Sequence, residues 1–210
     1  MANEQGGTYL WVLWSEIALS QLYMAGRSRL GLEVAEAIGP KYIRDLDGEM
    51  SASMISISAS AHAIDGFYGS VASYVDFPPG LKRKWRQNRT KRPAQILETL
   101  KLAFSVGRHA PRWTKDLRWL FDSRDSAVHH KSKPGELIWD AQERTKVPQE
   151  HGLYNLENAN RASKLAIEIM EVCVAHPRSG QQSVIEWMPD ARHFVEVIKR
   201  MRVERPRYAL

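Results

Sequence analysis

The sequence predicts an all-α protein, a bundle of long antiparallel helices, and three observations carry that prediction. Apolar residues recur at three- and four-residue spacings along most of the chain, which places them on one face of a helix. No run alternates apolar and polar residues in the way a half-buried strand does. The 210 residues are 43% hydrophobic and 26% charged, the balance of a folded globular chain. The single cysteine, Cys173, excludes a disulfide scaffold and a multi-cysteine zinc site.

The elements follow in order. Leu10, Trp14, Ile17, Gln21 and Met24 mark a first helix that Gly26 is expected to stop. A shorter helical piece from about Leu32 to Ile38 ends at Gly39-Pro40. Between 50 and 75, Met50, Met54, Ile57, Ala61, Ile64, Tyr68, Val71 and Val75 alternate four- and three-residue steps. That is a bundle seam, and the Ser, Ala and Gly beside it permit close helix approach. His62 and Asp65, one turn apart in this segment, read as polar flank residues. Asp76-Phe77-Pro78-Pro79-Gly80 breaks the helix, and a basic loop over 82–92 is expected next. A helix from about Pro93 to Val106, a turn over Gly107 to Pro111, and a helix from about Arg112 toward His129 follow. Residues 131–152, with Pro134, Gly135, Pro148 and Gly152, read as a long loop of the kind that serves function. Leu156, Ala159, Ala166, Ile169 and Cys173 give another helix. Ser183 with Glu186 resembles a capping box before a last stripe of Phe194, Ile198 and Met201. Without an internal repeat or a clean break in composition, the chain reads as one domain over 1–210.

No run of about 18 apolar residues is present, so no membrane partner is expected. The apolar stretch from Tyr9 to Ala25 is interrupted by Ser15, Glu16, Ser20 and Gln21. It follows Met1-Ala2-Asn3-Glu4, where a signal peptide carries positive charge. The expected location is therefore cytoplasmic.

Charge is distributed unevenly. Residues 1–81 hold 4 Lys/Arg against 9 Asp/Glu, residues 82–118 hold 12 against 2, and residues 119–210 hold 14 against 13. The middle segment, at +10, exceeds the net charge of the whole chain, +6. Its densest part contains Lys82, Arg83, Lys84, Trp85, Arg86, Arg89, Lys91 and Arg92 with no acidic residue. Cations of this density neutralise phosphates, and an interleaved indole stacks on an unpaired base, so these eight residues are the candidate nucleic-acid contacts. The competing reading is a solvated linker between helices.

A second feature lies at 117–130. Trp113, Leu117, Leu120, Arg124 and Ala127 step by four and three, so Arg124 takes a seam position that otherwise holds an apolar residue. An arginine there either caps the core through an internal carboxylate or points into a polar cleft or interface. Arg124-Asp125 followed by His129 leaves four intervening residues, and His130 leaves five. Arg144 with His151 has similar spacing but is followed by Thr145. The Arg124 motif, late in a helix and ahead of a long loop, resembles that of the HEPN superfamily. In that family an arginine is followed by Asn, Asp or His and, after four to six intervening residues, by a histidine. The resemblance covers about 50–175, leaving an extra N-terminal helix and a C-terminal helix outside it.

The resemblance implies a homodimeric, metal-independent endoribonuclease, such as a toxin or phage-defence effector restrained by a protein antitoxin or regulator. It implies RNA as substrate, attacked by its own 2′-OH, and no cofactor. Arg124 would hold the scissile phosphate, Asp125 would orient that arginine, and His129, or His130 beside it, would move protons. On a straight helix Arg124 and His129 lie about 140° apart. They converge only if the helix ends near Val128 or a second subunit completes the site. Lys131 stands where one subgroup of the family has a tyrosine. His129, His130 and His151 lack the neighbouring cysteines or spaced carboxylates of a metal site, and His109, His176 and His193 read as solvent-facing. Two further readings remain open. One is a non-catalytic helical module that binds nucleic acid or a protein partner through the basic segment. The other is a partner subunit that docks through its acidic N-terminal part.

Overall fold

The computed structural model of the chain describes residues 9–34, 39–129, 137–140 and 145–204. In chain order its elements are α1 (Leu10–Glu33), α2 (Pro40–Ala72), α3 (Leu81–Gln87), α4 (Arg92–Ala103), α5 (Ala110–Val128), β1 (Leu137–Asp140), β2 (Thr145–Pro148), α6 (Gln149–Leu153), α7 (Leu156–Ala175) and α8 (Gln182–Glu204). The fold is helical, as the periodicity predicts.

The first two helices lie antiparallel along their lengths. Gly66 meets Trp11, Gly48 meets Ser28, and Gly31 meets Asp45. A Cβ on Gly66 would stand 3.2 Å from the backbone nitrogen of Trp11, so a bare glycine is what lets the two backbones approach. This contact corrects two expectations. Gly26 does not end α1 but lies buried inside it, and Leu32 belongs to the same helix. A glycine costs a helix interior only about 1 kcal/mol, which packing along a helix of this length overrides. Residues 35–38, the rest of the expected short piece, lie outside the described residues. The second helix begins at Pro40, well ahead of the seam, with that proline in its first turn, where no N–H is needed.

Helix α2 is the centre of the molecule and packs against α1, α4, α5 and α7. Ile57, Ala61, Ile64, Tyr68 and Val71 of the predicted seam are buried, and Val75 is buried beyond the helix end. Ser53, Ser56 and Ser60 are buried beside them. The Ser56 hydroxyl donates to the Ala18 carbonyl of α1 at 2.8 Å and lies 3.4 Å from the Ser163 hydroxyl of α7. Ser60 donates to the Ser56 carbonyl at 2.8 Å, so the hydroxyls of Ser56 and Ser60 find partners within the bundle, whereas that of Ser53 is buried without one among the described residues. At the other end Trp11 packs edge-on against Phe67, with 5.4 Å between centroids, and against Phe194 of α8 at 6.1 Å. Helix α8 carries Pro189 in its interior, where the missing N–H leaves the Ile185 carbonyl without its usual helical donor.

Two segments expected as loops are structured. Part of 82–92 forms the short helix α3, which ends at Gln87, before α4 begins at Arg92. Trp85 anchors it. The indole is buried, meets Phe77 edge-on, and donates its N–H to Glu98 of α4 at 2.5 Å. Part of 131–152 forms an antiparallel hairpin with Leu137 opposite Pro148 and Asp140 opposite Thr145, followed by α6. Four-residue strands are too short for an alternating pattern to stand out in a sequence. Among the described residues no helix is long and apolar enough to cross a membrane.

Candidate functional site

Helices α4 and α5 pack against each other and leave a cleft of about 670 Å³, open to solvent on one side. Both start on a proline-containing first turn, Pro93 in α4 and Pro111 in α5. The floor is apolar, with Leu97 from α4 and Phe121 from α5. Cations ring it: Lys91, Arg92 and Lys101 from one side, Arg118 and Arg124 from the other. Glu98, Asp122 and Asp125 are the carboxylates among them.

Helix α5 explains why Arg124 stands there. Trp113, Leu117 and Leu120 of its stripe are fully buried, and Arg124 is the next step, where the stripe emerges from the core into the cleft. Its side chain keeps 21% of its exposure. Its Nε and Nη2 both donate to Oδ1 of the adjacent Asp125, at 3.0 and 2.6 Å, and its guanidinium lies 4.6 Å from the Phe121 ring centroid. The carboxylate that holds Arg124 is thus a surface neighbour on the same helix rather than an internal core group. Of the two positions open to a seam arginine, the structure places it in the cleft.

His129 lies just past the end of α5. Its N–H donates to the Asp125 carbonyl at 2.9 Å, and its backbone, at φ −112° and ψ 77°, leaves helical geometry. The helix therefore ends at Val128, one of the two conditions for bringing His129 toward Arg124. The imidazole is exposed and is not among the residues that line the cleft of this chain. His130 lies outside the described residues.

The basic segment divides. Lys91 and Arg92 line the cleft beside Arg124. Lys82, Arg83, Lys84, Arg86 and Arg89 are exposed on α3 and the turn after it, and the ammonium of Lys82 sits 4.2 Å over the Phe77 ring. Trp85, expected to stack on a base, is committed to the core. Arg92 is held from two sides on α2: it donates to Asp65 at 2.5 Å, and its guanidinium lies 4.2 Å over the Tyr68 ring.

Sequence reasoning did not single out Lys101, Arg118 or Glu98. The two cations fall in the segment whose charge stands out, but only the pairing of α4 with α5 brings them to one place. His62, read as a flank residue, is half-buried with its ring stacked on Trp14 at 4.7 Å. Burial, and next the positive charge of Arg124, push its pKa below the ordinary histidine value, against an opposing pull from Asp65. Tyr154 is a further support: its buried hydroxyl donates to the Ser123 carbonyl at 3.0 Å, tying the start of α7 to the end of α5. Burial raises its pKa to about 12. Comparison with known family models, with curated proteins and with solved structures finds no match for this chain.

Proposed function

We propose that this protein is a HEPN-like, metal-independent endoribonuclease that works as a homodimer on RNA. The observation that carries the reading is Arg124 in a cation-rimmed cleft, its guanidinium oriented by Asp125. A guanidinium that spends Nε and one Nη2 hydrogen on Asp125 keeps its other N–H donors for a phosphodiester and for the charge that develops on it. Lys91, Arg92, Lys101 and Arg118 line the same cleft and supply sequence-independent attraction for the backbone on either side. His129 moves a proton in the reaction, delivered to the site where the chain leaves α5 or from the second protomer of the dimer. A toxin or defence effector held in check by a protein antitoxin or regulator is the setting that the motif suggests.

The test is purified protein against total RNA, with and without EDTA. Cleavage should persist in EDTA and leave 2′,3′-cyclic phosphate ends, because the attacking oxygen belongs to the substrate. Arg124→Ala should lose cleavage and part of the RNA affinity. Arg124→Lys should not restore cleavage, since a point charge lacks the planar fork. Intact RNA under all conditions would leave the second reading, a non-catalytic module that binds nucleic acid or a protein. The exposed position of His129, away from the cleft lining, is what favours that alternative.

A further inference from the structure

The cations of the cleft differ in what already holds them. Arg92 is gripped by Asp65 and Arg124 by Asp125. Among the described residues, the side chains of Lys91, Lys101 and Arg118 have neither a hydrogen bond nor an ion pair. Glu98 of α4 lies in their midst and forms no ion pair with any of these cations. We propose that Glu98 is the specificity-determining residue of this cleft and reads an unpaired guanine; the proposal rests on RNA as the ligand of the cleft.

The placement argues for it. Glu98 is half-buried, and its Oε2 accepts the N–H of the buried Trp85 indole at 2.5 Å, which pins the carboxylate in the cleft wall. Its Oε1 has no partner among the described residues, and Oε2 keeps a second lone pair. The other two carboxylates of the cleft are placed differently: Asp125 is spent on Arg124, and Asp122 stands exposed on α5. Leu97, next to Glu98 in the chain, and Phe121 give the cleft an apolar floor for the face of a base. Its volume of about 670 Å³ falls within the range of roughly 300–1,000 Å³ typical of small-ligand sites. Trp85 then serves recognition from behind the carboxylate rather than by stacking on a base.

The chemistry selects the base. A phosphodiester is repelled by a carboxylate and goes to the cations, whereas a carboxylate accepts from the N–H groups on the Watson–Crick edge of an unstacked base. Guanine alone sets two donors side by side there, N1–H and the N2 amino group, to match the two oxygens of one carboxylate. Adenine and cytosine each place a ring-nitrogen lone pair beside a single amino group, and uracil places its one N–H between two carbonyls. Each of these turns an acceptor toward Glu98. The edge must also be free, so the substrate class is single-stranded or looped RNA with a guanine beside the phosphate that Arg124 holds.

The experiment measures, by fluorescence anisotropy, binding of the full chain to 2′-O-methyl uridine hexamers, which cannot be cleaved. The hexamers differ at one central base: guanine, hypoxanthine, adenine or cytosine. Hypoxanthine keeps N1–H and lacks the N2 amino group. Wild-type protein should bind the guanine hexamer about tenfold or more tightly than the hypoxanthine hexamer, because the oxygen facing N2 is otherwise left without a donor. Glu98→Gln should bring that ratio to about one while binding the adenine and cytosine hexamers at least as well as wild type does, since it removes a negative charge from the cleft. Its amide oxygen still accepts from Trp85, so its urea midpoint should stay near that of wild type. A wild-type ratio within about twofold, which needs no variant to measure, or a ratio that Glu98→Gln leaves intact, overturns the role of Glu98. RNA cleaved without regard to guanine overturns that role and leaves the endoribonuclease reading standing. Guanine-selective binding without cleavage does the reverse, and no binding to any hexamer overturns both.

Discussion

Trp85→Ala should lower stability by about 3–5 kcal/mol, measured by urea denaturation, because the indole is buried, meets Phe77 and bonds Glu98. The exposed cations around it should behave in the opposite way. Neutralising Lys82, Arg83, Lys84 and Arg86 together should leave folding nearly unchanged, about 0.5 kcal/mol or less per site. It should weaken RNA binding and flatten its salt dependence, since fewer counterions are released. Unchanged affinity and slope in a filter-binding salt series would reduce the segment to a solvated surface. The sequence displays the run of charge because charge is a property of each residue alone. It does not display that Trp85 belongs to the core, because that follows from Phe77 and Glu98, neither of which lies within the run. Arg124 is the converse case, legible from its position on a seam and found at the mouth of that seam.

At the scale of helices, two glycines of α2 should respond with opposite signs. Gly66→Ala places a Cβ against the backbone of Trp11, a residue pinned between Phe67 and Phe194, and should destabilise by about 1–3 kcal/mol through overpacking. Gly69→Ala meets nothing within 4 Å and should stabilise by up to about 1 kcal/mol through helix propensity. Thermal unfolding of the two variants side by side checks the pair, and equal shifts would mean that the approach of α1 to α2 is looser than described. The same contact explains why the helix boundaries were partly illegible. Glycine is a stop signal where the backbone faces water and a packing device where another helix crosses it, and Gly26 and Gly66 do not announce which they are. The seam from Met50 to Val71 was legible because its period comes from the helix itself.

For the molecule as a whole, the homodimer reading predicts a light-scattering mass near twice 24.0 kDa at micromolar concentration. Leu10, Leu13, Ile17 and Met24 form an exposed apolar stripe on α1 at heptad-like steps, the face that such a dimer would be expected to cover. Replacing Leu13 and Ile17 with glutamate should shift the mass toward the monomer, and a wild-type mass of one chain at high concentration would remove the two-protomer site. The cleft was legible only in part. Its charge, its arginine and two of its rim cations can be read from the chain, whereas Lys101 and Arg118 reach it from two separate helices. Contacts of that kind depend on which helices become neighbours, and short-range periodicity carries no record of it.

The serines at the heart of the bundle also set a schedule for synthesis. The hydroxyl of Ser56 faces that of Ser163, 107 residues further along. At translation rates of about 5–20 residues per second, the serine-lined face of α2 waits on the order of 5–20 seconds for α7 to leave the ribosome. Until then α2 has α1 and, as they emerge, α4 and α5, while the face that carries Ser56 and Ser60 stays uncovered. Among the groups that this face leaves open to other nascent chains during that interval are hydroxyls as well as hydrocarbon.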